Sequence, residues 1–294
     1  MRFFKYHGSG NDFIILDGME RGPFLQPREI EAICARRTGI GADGVIFACA
    51  SSSGADIAMR LFNADGGEAE MSGNGIRCLA KYAYERMSIH NEDMYVDTRA
   101  GVKSMRLLVR NGLVEEIEVD MGLPEFGSPD LPPADDPSRP GEVTIAMDDG
   151  GSVSAVCLSM GNPHCVLFVD DAAGAPVEEL GSSLERHDSF PNRTNVEFAQ
   201  LVDSGHIMLR VWERGVGETK ACGTGASAAA VAALQTGRAG TPMEIILPGG
   251  ILKISVDDEG HVHMAGPAVE VYSGELDTGW IEKDPGGASR GESG

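Results

Sequence analysis

The sequence has no run approaching the roughly 18 consecutive apolar residues that a membrane-spanning helix needs, so no membrane partner is expected. It also lacks a basic stretch followed by a long apolar core behind Met1. No secretory leader is therefore expected, and the cytoplasm is the expected compartment. Its six cysteines (Cys34, Cys49, Cys78, Cys157, Cys165 and Cys222) include no Cys-x-x-Cys pair. In a cytosolic chain that points to reduced, buried thiols and away from a zinc centre or a disulfide framework; no metal is expected. Basic charge is scarce as well, with 24 Lys and Arg against 45 Asp and Glu and a net charge of -21. A surface of that sign repels phosphate backbones, so nucleic acid is excluded as an expected partner.

What is present is enough apolar residue, 42% of 294, for two ordinary domain cores. The patterning is mixed α/β and rich in short strands. Phe13–Leu16, Ile57–Phe62, Val102–Leu108, Val114–Asp120, Cys165–Val169, Ile207–Val211, Met243–Leu247 and Ile251–Val256 all read as strands. Asn111-Gly112 between two apolar runs predicts a type I′ hairpin, and Glu259-Gly260 predicts a second, so the sheets should be largely antiparallel. Helices are expected at Pro27–Arg37 and from near Gly73 and Gly223. The Pro-rich, acidic stretch 122–141 reads as a connector or loop, and the Gly/Ser-rich end, 284–294, as a disordered tail.

An internal repeat organises the rest. Arg60–Gly75 (RLFNADGGEAEMSGNG) aligns without a gap on Arg210–Gly225 (RVWERGVGETKACGTG), and Arg60, Gly67, Glu68, Gly73 and Gly75 meet identical residues. Ser72 meets Cys222, Gly10-Asn11 recurs as Gly161-Asn162, and the hairpin at Gly112 recurs at Gly260. Agreement of three landmarks at nearly the same spacing predicts duplication, with two alike halves facing each other across a pseudo-twofold axis.

Each half places a small nucleophilic residue before Gly-x-Gly and a helix: Ser72-Gly73-Asn74-Gly75 and Cys222-Gly223-Thr224-Gly225. The Ala-rich run Ala226–Ala233 predicts a helix packed on all sides. Glycines admit close backbone approach, and unpaired amides at a helix N-terminus bind an anion such as a carboxylate. The same end favours a thiolate, so Cys222 is the one cysteine with a reason to be reactive. A lone cysteine in such a run is ordinarily a small buried hydrophobe. Its pairing with Ser72 changes the reading, because two facing acid/base groups are what inversion at a carbon requires. Glu213-Arg214 at a strand end offers a carboxylate a bidentate partner, or else a surface ion pair. Gly10-Asn11-Asp12 and Gly161-Asn162-Pro163-His164 are turn sequences, and Asn195 lies in Arg193-Thr194-Asn195-Val196.

Together HGSGNDFIILD (7–17), TGIGADGV (38–45), FNADGGEAEM-GNGIRC (62–78), MGNPHCV (160–166), RTNVEF (193–198) and ERGVGETKACGTGAS (213–227) resemble the diaminopimelate epimerase family, from about residue 1 to 275. The resemblance implies an α/β (α+β) fold of two pseudo-symmetric domains, each a mostly antiparallel sheet around a central helix, with the active site between them. The halves would be 1–121, completed by 268–283, and 142–267. It further implies two-base epimerisation of diaminopimelate without a cofactor, in a homodimer. Cys222 and Ser72 would be the acid/base pair and His164 and Glu213 would tune thiol ionisation. Gly73, Asn74, Gly223 and Thr224 would hold the α-carboxylate. Asn11, Asn63, Asn162, Asn195, Glu213 and Arg214 would hold the ammonium groups and the distal carboxylate. Ser72 departs from the family pattern, which has a second cysteine there; a hydroxyl is a poor general base unless activated. Cys78, about 1.7 helical turns further on, is no replacement. The alternatives are a related amino- or imino-acid racemase or dehydratase, and a Ser72-impaired form that binds with little turnover.

Overall fold

The computed structural model describes residues 1–148, 150–277 and 279; the expected tail at 284–294 lies outside them. Strands β1 (Arg2–Gly8), β2 (Asn11–Asp17), β3 (Gly44–Cys49), β4 (Ile57–Asn63), β5 (Glu68–Ala69), β6 (Asp93–Thr98), β7 (Gly101–Arg110) and β8 (Leu113–Gly122) form the first half, with helices α1 (Pro27–Cys34) and α2 (Gly73–Arg86). The second half runs β9 (Glu142–Ala146), β10 (Ser152–Ser159), β11 (Pro163–Phe168), α3 (Val177–Glu185), β12 (Asn195–Asp203), β13 (His206–Glu213), β14 (Gly217–Thr219), α4 (Gly223–Gln235), β15 (Met243–Leu247), β16 (Gly250–Val256) and β17 (Val262–Gly266). The last strand, β18 (Val269–Glu275), returns to pair with β1.

The duplication extends to strand pairing. Parallel β2–β3 answers parallel β11–β12, and parallel β4–β6 answers β13–β15. The antiparallel pair β1–β18 matches β10–β9, and β7–β8 matches β16–β17. Each half is thus an open sheet that curls around its own helix, and the chain's end supplies the first half with the strand that β9 supplies to the second. Among the described residues, β8 with β17 is the one strand pairing between the halves.

The sequence explains the central helices. In α4, Ala226, Ala228, Ala229, Ala230, Ala232 and Ala233 have no exposed surface, so only methyl groups fit between helix and enclosing strands. In α2, Ile76, Leu79, Ala80 and Ala83 are equally buried at helical spacing. These faces merge into one cluster that spans both halves, rather than two separate cores. Smaller clusters lie under α1 (Ile30 and Ile33 with Ile14 and Leu16) and α3 (Val177 and Leu184 with Cys165 and Phe198). The hairpin at Asn111-Gly112 has positive φ at both residues, 53° and 77°, as a type I′ turn demands.

Two expectations change. Helix α3 was not legible as a helix, although Glu178 and Glu179 in its first turn are a start signal. The stretch 122–141 is irregular but not a free connector. Glu125 bridges Ser159, the Gly141 carbonyl accepts from the Cys157 amide, and Leu131 is buried in the cluster under α3.

Candidate active site

The N-termini of α2 and α4 meet where β17 passes between the halves. A Cβ added at Gly223 would lie 3.7 Å from the Gly73 Cα and 2.9 Å from the Met264 sulfur. One added at Gly73 would lie 2.9 Å from the Met264 methyl. Glycine at both positions leaves room for the Met264 side chain here, and the approach brings two sets of unpaired helix-end amides to one place. Ser72 and Cys222 are the N-cap residues of the two helices, both in extended backbone.

The two caps differ in their surroundings. The Ser72 hydroxyl oxygen accepts from the Gly75 amide at 3.1 Å, and among the described residues no carboxylate or imidazole bonds to it. The Cys222 sulfur lies 3.5 Å from the Thr224 hydroxyl and faces Glu213. Burial pushes this thiol well above its ordinary range, and the charges of Glu213 and Glu197 push it the same way. The expected thiolate is therefore corrected: the Gly225 amide and Thr224 favour ionisation, but desolvation and two carboxylates outweigh them. Burial also raises the Glu213 carboxyl, whose Oε1 accepts from the Thr219 hydroxyl. Cys78 is wholly buried, its thiol pushed up to about 12 by desolvation, and no substitute for Ser72.

Behind Cys222, His164, which the resemblance gave a tuning role, pairs with Glu197, which sequence reasoning left unassigned. His164 Nδ1 is 2.7 Å from Glu197 Oε1, both side chains wholly buried, and Nε2 is 3.0 Å from Asn162 Oδ1. A Cβ at Gly225 would lie 2.9 Å from the same Glu197 oxygen, which places the dyad against the start of α4. Parallel pairing of β11 with β12 brings His164 opposite Asn195, and its i+2 neighbour on β12 is Glu197.

The amide-bearing residues gather at matching strand ends. Asn11 Nδ2 donates to Asp43 at 2.8 Å, and its Oδ1 accepts from Asn74 Nδ2 at 3.3 Å. Asn74 also donates to the Ala221 carbonyl, linking the halves. Asn63 ends β4 beside Gly44, exposed. Asn195 is committed to backbone: its Nδ2 donates to the Pro163 carbonyl and its Oδ1 accepts from the Arg214 amide, each at 2.9 Å. Arg214 is exposed, with Nη1 donating to the Asn192 carbonyl and no carboxylate within ion-pair distance among the described residues. Asp43 holds Asn11 and Arg36 and was missed by sequence reading, though it lies in the TGIGADGV segment. A cavity lined by Cys49, Arg60, Glu68, Asp97 and Arg99 lies away from the helix ends; both its arginines already pair with Glu68.

A profile of diaminopimelate epimerases matches residues 3–127 and 156–271, which takes in both helix ends and every site residue named in this subsection. The chain belongs to the diaminopimelate epimerase family. Relatives in that family include the diaminopimelate epimerases of Moorella thermoacetica and Pelotomaculum thermopropionicum. Each is 46% identical over 278 residues; the match covers 94% of this chain and 99% and 98% of theirs. Two distant structures share the fold. A probable proline racemase of Agrobacterium radiobacter superposes with a TM-score of 0.69 at 16% identity, covering 97% of this chain and 94% of its own. A phenazine biosynthesis protein of Bacillus anthracis gives 0.67 at 19%, covering 94% and 99%.

Proposed function

We propose that this chain is a cofactor-independent isomerase that interconverts LL- and meso-2,6-diaminopimelate, supplying lysine and peptidoglycan precursors. The observation that carries this reading is the meeting of two helix N-termini capped by Ser72 and Cys222, with Gly73 and Gly223 in contact distance. The substrate's α-carboxylate is held by the amides of Gly73-Asn74 and Gly223-Thr224, where two helix dipoles favour an anion. The α-carbon then lies between the Cys222 thiol and the Ser72 hydroxyl. One group removes the α-proton, the electron pair delocalises into the carboxylate, and the other group returns a proton to the opposite face.

A thiol kept protonated by burial is the ready donor of the pair. To act as base it first cedes its proton, and the Glu213 carboxylate facing it and the His164–Glu197 dyad behind it are the acceptors at hand. Asn11, Asn63, Asn162 and Asn195, with Glu213, take the ammonium groups, and Arg214 takes the distal carboxylate. The bonds already made by Asn11 and Asn195 fix their orientation. The same reading carries a homodimer in the cytoplasm. Strand β18 supports the dimer: it pairs only with β1 among the described residues and exposes Val269, Val271 and Tyr272. In heavy water, Cys222→Ala should abolish both inversion and α-proton exchange of diaminopimelate; full turnover in that variant would remove Cys222 from the reaction.

A further inference from the structure

Arg77 is the largest fully buried side chain of the described residues, and it faces no carboxylate. Its Nη1 donates to the Gly73 carbonyl at 3.0 Å and approaches the Met264 sulfur at 3.6 Å; Nη2 donates to Asn74 Oδ1 at 2.9 Å. Every one of these partners is neutral, and Nε has none. The other buried acidic and basic side chains all have a partner: Lys5 has Asp12, Glu185 has Arg193, and Glu197 is hydrogen-bonded to His164. In the duplicated half the matching position is Ser227, whose hydroxyl donates to the Gly223 carbonyl at 3.0 Å. The bond to the helix's first carbonyl is thus met by a neutral group in one half and by a cation in the other.

An unpaired buried cation is costly, and its position makes it more so, because the positive ends of two helices converge on the same point. No acidic side chain among the described residues forms an ion pair with it: Glu85 on α2 is held by Lys81, and Asp12 on β2, which packs on α2, is held by Lys5 and Arg36. What is missing is an anion. We propose that Arg77 is the fixed cation that keeps the junction of the two helix ends positive for the substrate's α-carboxylate and for the carbanion formed from it. It acts through Gly73 and Asn74 as a positioning residue, and the inference rests on the epimerase reading above. When the α-proton leaves, its electron pair spreads into the carboxylate, which then carries nearly two negative charges. A charge fixed beside the carboxylate stabilises that state more than the bound substrate, so its loss lowers kcat more than it raises KM.

The test compares Arg77→Lys, Arg77→Gln and Arg77→Met by deuterium incorporation at the α-carbon of diaminopimelate. Gln keeps an N–H for Gly73 or Asn74 and guards against a Met variant that does not fold. A unit charge several ångströms away in a partly screened interior changes a rate by roughly 10²-fold. We expect kcat to fall about that much in Arg77→Gln and Arg77→Met, with KM changing severalfold at most, and Arg77→Lys to recover most of the loss. A purely structural role predicts instead that Lys falls with the neutral variants and that activity follows melting temperature. Neutral variants within about fivefold of the parent, or a Lys variant no better than Gln, overturn the proposal alone. A parent that exchanges no deuterium overturns the epimerase reading and this proposal with it.

Discussion

Ser72 is where the chemistry should become lopsided, and its replacement separates a capping role from an acid/base role. The hydroxyl caps α2 through the Gly75 amide at 3.1 Å. Ser72→Ala removes that bond, at a cost of about 1 kcal/mol, or about 2 °C of melting temperature in a chain this size. Ser72→Cys keeps an acceptor at the same place and should cost less. The effect on chemistry is far larger. Cys222 has Glu213 and the His164–Glu197 dyad to take its proton, whereas the Ser72 hydroxyl has only an amide, so abstraction on the Ser72 face is the slow one. A carbanion formed on the Cys222 side is often reprotonated by the same thiol. In heavy water one stereoisomer should then gain deuterium faster than it inverts, while the other exchanges slowly. Ser72→Cys should equalise the two and raise the inversion rate by roughly 10²–10⁴, the worth of a positioned acid–base group. Ser72→Ala should lower inversion further without touching exchange at the Cys222 face. The assay is NMR of both diastereomers over time. Equal exchange from both in the parent, with Ser72→Cys and Ser72→Ala alike, would show that Ser72 is not the second acid/base.

Glu213→Gln removes a like charge from beside the Cys222 thiol, so the thiol pKa should fall. Alkylation of the Cys222 peptide by iodoacetamide near neutral pH should quicken severalfold; an unchanged or slower rate would contradict it. Asp12 is held well below its ordinary carboxylate range, despite burial, by Arg36 and Lys5. A depressed folded-state pKa stabilises above the unfolded value of 3.8 and is lost as pH falls through the folded one. Asp12→Asn leaves Lys5 buried and unpaired, so it should cost about 3 kcal/mol at neutral pH, with parent and variant converging in strong acid. Denaturant titration at several pH values reads this, and a gap independent of pH would refute it. At Gly249 a Cβ would overlap the Ser9 carbonyl oxygen and lie 2.9 Å from the Lys220 carbonyl, both rigid backbone. Gly249→Ala should cost about 3 kcal/mol or more, while Gly240→Ala, which meets nothing within 4 Å, should be near neutral. Equal melting temperatures for the two would show that the Ser9–Gly249 crossing is loose.

How much of this was legible in the sequence follows from which signals are local. The Gly-x-Gly ahead of each central helix and the Asn-Gly hairpin depend on short-range backbone chemistry, and the repeat let each support the other. Strand β1 carried no clean alternation because it is paired on both sides, with β2 next to it and with β18 from the far end of the described chain. The thiol state of Cys222 was misjudged for a related reason. The helix end is visible in the sequence, but Glu197 reaches the thiol only because β11 and β12 pair in parallel. Arg77 was overlooked because Gly-Asn-Gly-Ile-Arg shows a basic residue on a helix, and nothing local says that it is wholly buried and faces no acid.

The most direct measurement follows LL-diaminopimelate with the unmodified protein in heavy water, by mass spectrometry of the separated stereoisomers. The account predicts meso product carrying deuterium at the inverted α-carbon. It also predicts neither product nor label with Cys222→Ala. Meso product without solvent deuterium, or no product and no exchange from the unmodified protein, would contradict it.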